Sequence, residues 1–181
     1  KHHQGVIATV SDARYTELEA LIAGAQASGG PALIVVLDGI QDPQNLGAIA
    51  RTVDAAGGHG LVVPERRAVG VTPGALRASA GALEHVPVAR VTNLSRAIEV
   101  LKEAGIWAVG LDMAGGQAYT EVDFTRPTAI IVGSEGEGLS RLVREKCDLL
   151  AAIPLKGKLA SLNASAAAAI VLYEAVRQRS M

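Results

Sequence analysis

Two continuous aliphatic runs, at residues 32–37 (ALIVVL) and 128–132 (TAIIV), most strongly limit the folds open to this chain. A strand with one face in water alternates apolar and polar residues, whereas a strand covered on both faces is apolar throughout. Each run is therefore predicted to be a strand buried on both faces. Such strands are typical of parallel sheets that carry helices on either side.

The rest of the chain alternates strand-like segments with segments whose apolar residues recur at helical spacing. A helix at 74–80 is predicted to follow an N-cap at Thr72, and another to follow an N-cap at Asn93, while 112–126 reads as a looser connection. The alternation has no fixed period, so we predict an α/β fold with a mainly parallel sheet rather than a repeat protein. Further strands are predicted at 6–10, 59–63, 86–91, 106–111 and 149–153, with a helix at 13–28.

Composition limits the domain count and the possible partners. A chain of 181 residues with 49% hydrophobic residues suits one domain, 1–181, with one core. Only 3% of residues are aromatic, which argues against aromatic base-stacking platforms. A net charge of −1 and a pI of about 6.5 argue against nonspecific coating of nucleic acid, so any RNA partner has to be met by a local basic patch.

The single cysteine, Cys147, excludes an intramolecular disulfide, and without a Cys/His cluster no metal site is predicted. No run of about 18 uncharged apolar residues is present, and the first ten residues lack the pattern of a signal peptide. We therefore expect no membrane association and a cytoplasmic protein.

Three polar, glycine-containing loops each follow a predicted strand. They are DGIQDPQNLGAIAR at 38–51, GSEGEGL at 133–139 and KGKLASLNAS at 156–165. The carboxyl ends of parallel strands share one edge of a sheet, so these loops should lie together and bind a ligand there. Asn45 is predicted to cap the helix after the first loop, which places Arg51 about two turns into that helix.

The loops match no common nucleotide or hydrolase motif. Arg141 stands where the third glycine of G-x-G-x-x-G would be, no P-loop pattern occurs, and no G-x-S-x-G surrounds Ser161. Glu135 and Glu137 are either an acid/base pair or solvated turn carboxylates, and Arg51 is either functional or a surface charge. The glycines at 133–138 are open to two interpretations, close approach of a ligand or an ordinary strand-to-helix turn.

Taken together, NLGAIART (45–52), IIVGSEGEGLSRL (130–142) and IPLKGKLASLNASAAAAIVLYEA (153–175) resemble motifs 1, 2 and 3 of the SpoU/TrmH class of SPOUT RNA methyltransferases. The likeness covers nearly the whole chain. The segments 78–98 and 174–180 (EAVRQRS) narrow it to the RlmB type, which methylates a guanosine 2′-hydroxyl in 23S ribosomal RNA.

This resemblance implies a C-terminal trefoil knot, a homodimer, and S-adenosylmethionine as methyl donor. Members of this type carry a further N-terminal RNA-binding domain, so residues 1–12 would be a strand or linker remnant of it. The resemblance assigns Leu111, Gly133, Ile153 and Leu162 to the cofactor. It assigns catalysis to Arg51, arranged together with the substrate by Asn45, Glu135, Ser161 and Asn163.

The role of Arg51 has two alternatives. The class is held to use the matching residue often as the base, but a guanidinium group normally stays protonated. A charged Arg51 would sooner hold a neighbouring phosphate or stabilise the developing alkoxide.

Five basic residues are predicted to contact RNA phosphates: Arg66, Arg67, Arg77, Lys156 and Lys158. The alternative interpretation is that they are ordinary solvated surface residues. Two other functions remain open, a transfer-RNA 2′-O-methyltransferase and an inactive RNA-binding or assembly module of the same fold. The intact catalytic residues named above speak against the second.

Overall fold

The computed structural model describes residues 15–113, 115 and 117–180. The strand predicted at 6–10 and the linker remnant predicted at 1–12 lie outside the described residues.

A seven-stranded parallel sheet forms the centre of the molecule, in the order β3-β2-β1-β6-β4-β7-β5. The two aliphatic runs of the sequence are its neighbouring strands β1 and β6, aligned from Leu33 opposite Thr128 to Asp38 opposite Gly133. The strands are β1 (Leu33–Asp38), β2 (Gly60–Pro64), β3 (Val88–Val91), β4 (Trp107–Leu111), β5 (Gln117–Ala118), β6 (Thr128–Gly133) and β7 (Leu149–Ala152).

Helices cover both faces of this sheet, as continuous aliphatic strands require. Along β1, Leu33, Val35 and Leu37 pack on one face, while Ile34 and Val36 pack on the other. The first face carries α2 (Pro43–Ala55), α3 (Pro73–Ala78) and α6 (Ala164–Arg179). The second carries α1 (Leu18–Ala27), α4 (Leu94–Glu103) and α5 (Arg141–Lys146). The predicted α/β class with a mainly parallel sheet is confirmed, and the trefoil knot stays a prediction.

The start of α2 differs from the prediction. Asn45 is not the N-cap: Asp42 is, its side chain accepting a hydrogen bond from the backbone N–H of Gln44 at 2.9 Å, with Pro43 at the first helical position. The fixed φ of proline suits that position, and the aspartate before it supplies an acceptor for a backbone N–H group that has no partner within the helix. Asn45 therefore lies inside the first turn, only 8% exposed, and Arg51 lies about two and a half turns from the helix start.

The caps predicted at Thr72 and Asn93 are confirmed. Their side chains accept hydrogen bonds from the backbone N–H groups of Ala75 and Arg96, at 3.2 and 3.1 Å. The looser connection predicted at 112–126 includes, among its described residues, β5 and a 3₁₀ turn, Tyr119–Glu121. Within the part of the chain that the structure describes, no helix is long and apolar enough to cross a membrane.

The imidazole ring of His59, between α2 and β2, makes two hydrogen bonds. Its Nδ1 accepts from the backbone N–H of Leu33 at 3.0 Å. Ser28 Oγ donates its proton to the carbonyl oxygen of Ala25, so it accepts from Nε2–H of His59 at 2.7 Å. Burial, with the charge of Arg179, lowers the pKa of His59 below its ordinary value of 6.5.

We expect this histidine to make the protein less stable in mild acid. Because its pKa is lower in the folded chain, the free energy of unfolding should fall as the pH drops below about 6.5 toward the folded-state pKa. Urea unfolding at pH 7.5 and 5.5 checks this. His59→Gln should show a smaller difference between the two pH values, whereas the exposed His85→Gln should behave as wild type.

Candidate functional site

The loop after β6 folds back on itself in a tight turn that depends on glycine. Ser134 and Gly138 exchange two backbone hydrogen bonds, at 3.1 and 3.0 Å. A Cβ atom at Gly133 would overlap the backbone of Gly138 and lie 2.5 Å from the backbone nitrogen of Leu139. Gly133 is thus required by the turn itself, so its presence alone does not indicate a ligand.

This turn forms one wall of a cavity of about 350 Å³ at the carboxyl ends of β4, β6 and β7. The segment at 160–162 and the first turn of α6 also line it. The volume is within the range of small-molecule sites. All four residues predicted to hold the cofactor line this cavity: Leu111, Gly133, Ile153 and Leu162.

A hydrogen-bonded network joins the three loops beside this cavity. Glu135 Oε1 accepts from Asn45 Nδ2 at 3.1 Å, from Asn163 Nδ2, and from the backbone N–H of Ala164 at 3.3 Å. Asn163 Nδ2 also donates to Asn45 Oδ1 at 2.9 Å. Residues more than a hundred positions apart in the chain therefore share one carboxylate.

Asn163 performs a second task in the same place, because it is the N-cap of α6. Its Oδ1 accepts from the backbone N–H groups of Ser165 and Ala166, at 2.9 and 3.3 Å, and from Ser165 Oγ at 2.5 Å. The positive end of the α6 dipole thus faces the Glu135 carboxylate, which favours a negative charge there. The network and the start of α6 therefore hold each other in position.

The other two predicted catalytic residues lie outside this network. Ser161 lines the cavity and is exposed. Arg51 is exposed on α2 and does not line this cavity, and its side chain makes no hydrogen bond or ion pair with any residue that the structure describes. It follows Asn45 by six residues, about 9 Å along the helix axis. Its guanidinium group is open to an external anion.

The predicted RNA-contacting residues fall into three groups. Arg66 and Arg67 line a second cavity, of about 470 Å³, on the far side of the 134–139 turn. Lys156 and Lys158 are exposed on the segment that leads to α6. Arg77 is exposed on α3 and lines neither cavity.

Two features of the site were not predicted. Asp38, at the end of β1, accepts a hydrogen bond from the backbone N–H of Ser140 at 2.6 Å and so anchors the end of the glycine turn. Asp112, at the cavity wall, pairs with Arg144 at 3.2 Å. Both aspartates directly follow predicted strands, which was the signal available in the sequence.

Cys147 packs beside the second sheet face rather than in a reactive position. Burial raises the pKa of its thiol to about 12, and its Sγ donates to the carbonyl oxygen of Val143 at 3.3 Å. A thiol with so little thiolate is inert, which agrees with a structural role.

The molecule has a parallel sheet with a cavity at the carboxyl ends of three strands, and a glycine turn and a capped helix close this cavity. These features define a class of α/β proteins that bind small molecules at the sheet edge. The family model described as "SpoU rRNA Methylase family" matches residues 32–173. The chain belongs to the SpoU rRNA methylase family.

The relatives agree with this assignment. A TrmH family tRNA/rRNA methyltransferase of Bacillus subtilis, YacO, is 49% identical over 98% of this chain and 72% of its own length. A tRNA/rRNA methyltransferase of Mycolicibacterium smegmatis is 52% identical over 98% of this chain, which spans only 56% of that relative.

Solved structures give the same result. The SpoU methyltransferase AviRb of Streptomyces viridochromogenes, in complex with AdoMet, is 40% identical with a TM-score of 0.77, over 83% of this chain and 62% of that one. An RNA 2′-O ribose methyltransferase is 34% identical with a TM-score of 0.76, over 84% and 58%. These likenesses confirm the predicted enzyme class, an RNA methyltransferase that uses S-adenosylmethionine. The individual residue roles stay predictions.

Proposed function

We propose that this chain transfers a methyl group from S-adenosylmethionine to the 2′-hydroxyl of a ribose in RNA, with a guanosine of 23S ribosomal RNA as the substrate. The observation that carries the proposal is the Asn45–Glu135–Asn163 network beside the cavity. A likeness to an RNA 2′-O ribose methyltransferase supports the position methylated.

The chemistry of the cavity fits the cofactor. Leu111, Ile153 and Leu162 give it apolar walls, which suit an adenine ring, and the Glu135 carboxylate suits a cationic group. S-adenosylmethionine, when bound there, supplies an electrophilic methyl group. The chain's own contribution is to bind it, to exclude water and to bring the ribose into line.

The 2′-hydroxyl must lose a proton as the new bond forms, and the residues of the site can assist in two ways. First, the network fixes the Glu135 carboxylate, whose Oε1 accepts three hydrogen bonds, so that this group can help to arrange the substrate. Arg51, exposed on α2, offers a guanidinium group that can hold the adjoining phosphate. Positioning by these groups, rather than strong acid or base chemistry, would supply much of the rate.

The tRNA alternative has support in the names of the relatives, which join tRNA and rRNA. A homodimer is part of the proposal, because the resemblance to this class implies one. The cytoplasm is the proposed compartment, because RNA substrates of this kind are found there.

The test is methyl transfer from labelled S-adenosylmethionine to unmodified 23S ribosomal RNA and tRNA transcripts, with calorimetry of cofactor binding. We expect label in ribosomal RNA, recovered after digestion as 2′-O-methylguanosine. Label in tRNA alone would show that tRNA, rather than ribosomal RNA, is the substrate. Absence of cofactor binding would contradict the proposal and favour an inactive RNA-binding module.

A further inference from the structure

The second cavity lies directly behind the cofactor cavity and shares a wall with it. Ser134, Glu137, Gly138 and Leu139 line both cavities, so the glycine turn separates them. The second cavity opens at the carboxyl ends of β1, β2 and β3, and its volume of about 470 Å³ is within the range of ligand sites.

One side of this cavity is cationic. Arg66 and Arg67 are exposed in the loop after β2, and neither makes a hydrogen bond or an ion pair with any residue that the structure describes. Arg67 also has a φ of 58°, a left-handed conformation that is uncommon for a residue other than glycine. Two guanidinium groups without protein partners are suited to phosphate, which they can contact through several N–H groups.

The cavity also has apolar lining residues. Leu94, Leu139 and Leu142 line it, and Leu142 keeps 54% of its surface exposed at the rim. Aliphatic side chains can cover the flat, largely apolar face of a nucleobase, which leaves the two guanidinium groups to the phosphate. The Glu137 carboxylate, on the shared wall, can accept hydrogen bonds from a base edge.

We infer that this cavity binds one unpaired nucleotide of the substrate RNA, a neighbour of the methylated one, with its phosphate on Arg66 and Arg67 and its base against Leu94 and Leu142. The inference rests on the proposed function, since the occupant is part of the same RNA whose ribose enters the site. The shared turn would hold the two nucleotides at a fixed separation, and the cavity would contribute to the choice of sequence.

Two kinds of variant separate the phosphate contact from entry of the base. The double variant Arg66→Gln/Arg67→Asn removes the charges, with asparagine chosen because it tolerates a positive φ. Ser95→Leu fills the cavity with an aliphatic side chain and keeps both arginines. Thr92→Leu, from an exposed lining position, does the same if Ser95→Leu fails to fold. Arg126→Ala, before β6 at the other end of the sheet, is the charge control.

The experiment is a salt titration of binding to a fluorescein-labelled, single-stranded RNA of 12 nucleotides and mixed sequence, followed by anisotropy. Each lost phosphate contact should reduce the slope of log K against log salt by about 0.7. Because Arg66 and Arg67 hold one phosphate, the double variant should lose about 0.7 in slope and bind about fivefold more weakly at about 0.1 M salt. The filled variants should bind at least about fivefold more weakly with an unchanged slope.

Filled variants that bind RNA as tightly as wild type would overturn the inference, as would a double variant indistinguishable from Arg126→Ala. Calorimetry of S-adenosylmethionine is run on every variant and should be unaffected. A wild-type protein that binds no cofactor and transfers no methyl group would contradict the proposed function alone, because the RNA affinities are read independently.

Discussion

Replacing Arg51 with alanine is expected to reduce methyl transfer at least about 100-fold and to leave the affinity for S-adenosylmethionine within about twofold of wild type. The cofactor affinity should survive because Arg51 lines neither cavity and lies outside the Asn45–Glu135–Asn163 network. The rate should fall because its guanidinium group is proposed to hold the substrate phosphate or the developing alkoxide. Single-turnover kinetics with saturating cofactor, together with calorimetry, measure the two effects.

Arg51→Lys distinguishes an electrostatic role from loss of structure. Lysine keeps the positive charge but offers a single ammonium group instead of a planar fork, so we expect about a tenfold loss rather than a hundredfold one. Arg126→Ala removes an equal charge remote from α2 and should transfer methyl at the wild-type rate. Wild-type transfer by Arg51→Ala would show that this arginine is only a surface charge.

The gathering of the three loops was predictable because parallel strands end at one edge. Leu111, Gly133, Ile153 and Leu162, which the family resemblance assigned to the cofactor, line one cavity at the carboxyl ends of β4, β6 and β7. What the pattern could not supply was which side chains touch. The contact between Asn45 and Glu135 spans 90 positions and depends on the true start of α2, which the sequence interpretation placed three residues too late.

The glycines show a different limit of sequence reasoning. At Gly133 the two interpretations, ligand approach and tight turn, predict the same residue, and only the distance from an added Cβ to Leu139 shows that the turn requires it. The second cavity could not be foreseen at all. Its lining comes from four separate chain segments, and Leu142 lies on α5, whose short length gives a weak helical pattern.

Replacing Arg179 with alanine is expected to lower the free energy of unfolding by about 2–4 kcal/mol, the largest stability effect of a single charged residue that we foresee here. Its side chain donates to four backbone carbonyl oxygens: those of Pro31, Ala32, Phe124 and Arg126, at distances between 2.8 and 3.1 Å. Two of these residues precede β1 and two precede β6, so one guanidinium group ties the end of α6 to the central strand pair.

Burial lowers the pKa of Arg179, which shows that desolvation works against its charge and that the four carbonyl groups must compensate for it. Alanine would leave these carbonyl groups to whatever water can reach them. Arg179→Lys should recover only part of the loss, because one ammonium group cannot reach four acceptors in two directions. Urea unfolding of the three proteins measures this order.

Arg96→Ala is the matched control, because Arg96 makes two exposed ion pairs, with Glu99 and Glu103, and such pairs contribute little. An Arg179→Ala protein as stable as this control would contradict the argument. The same variant also bears on function. Arg179 belongs to the segment 174–180, whose resemblance helped to narrow the class to the RlmB type. If its loss lowers stability while cofactor affinity at low temperature is kept, that likeness reflects the packing of α6 and carries no information on the substrate.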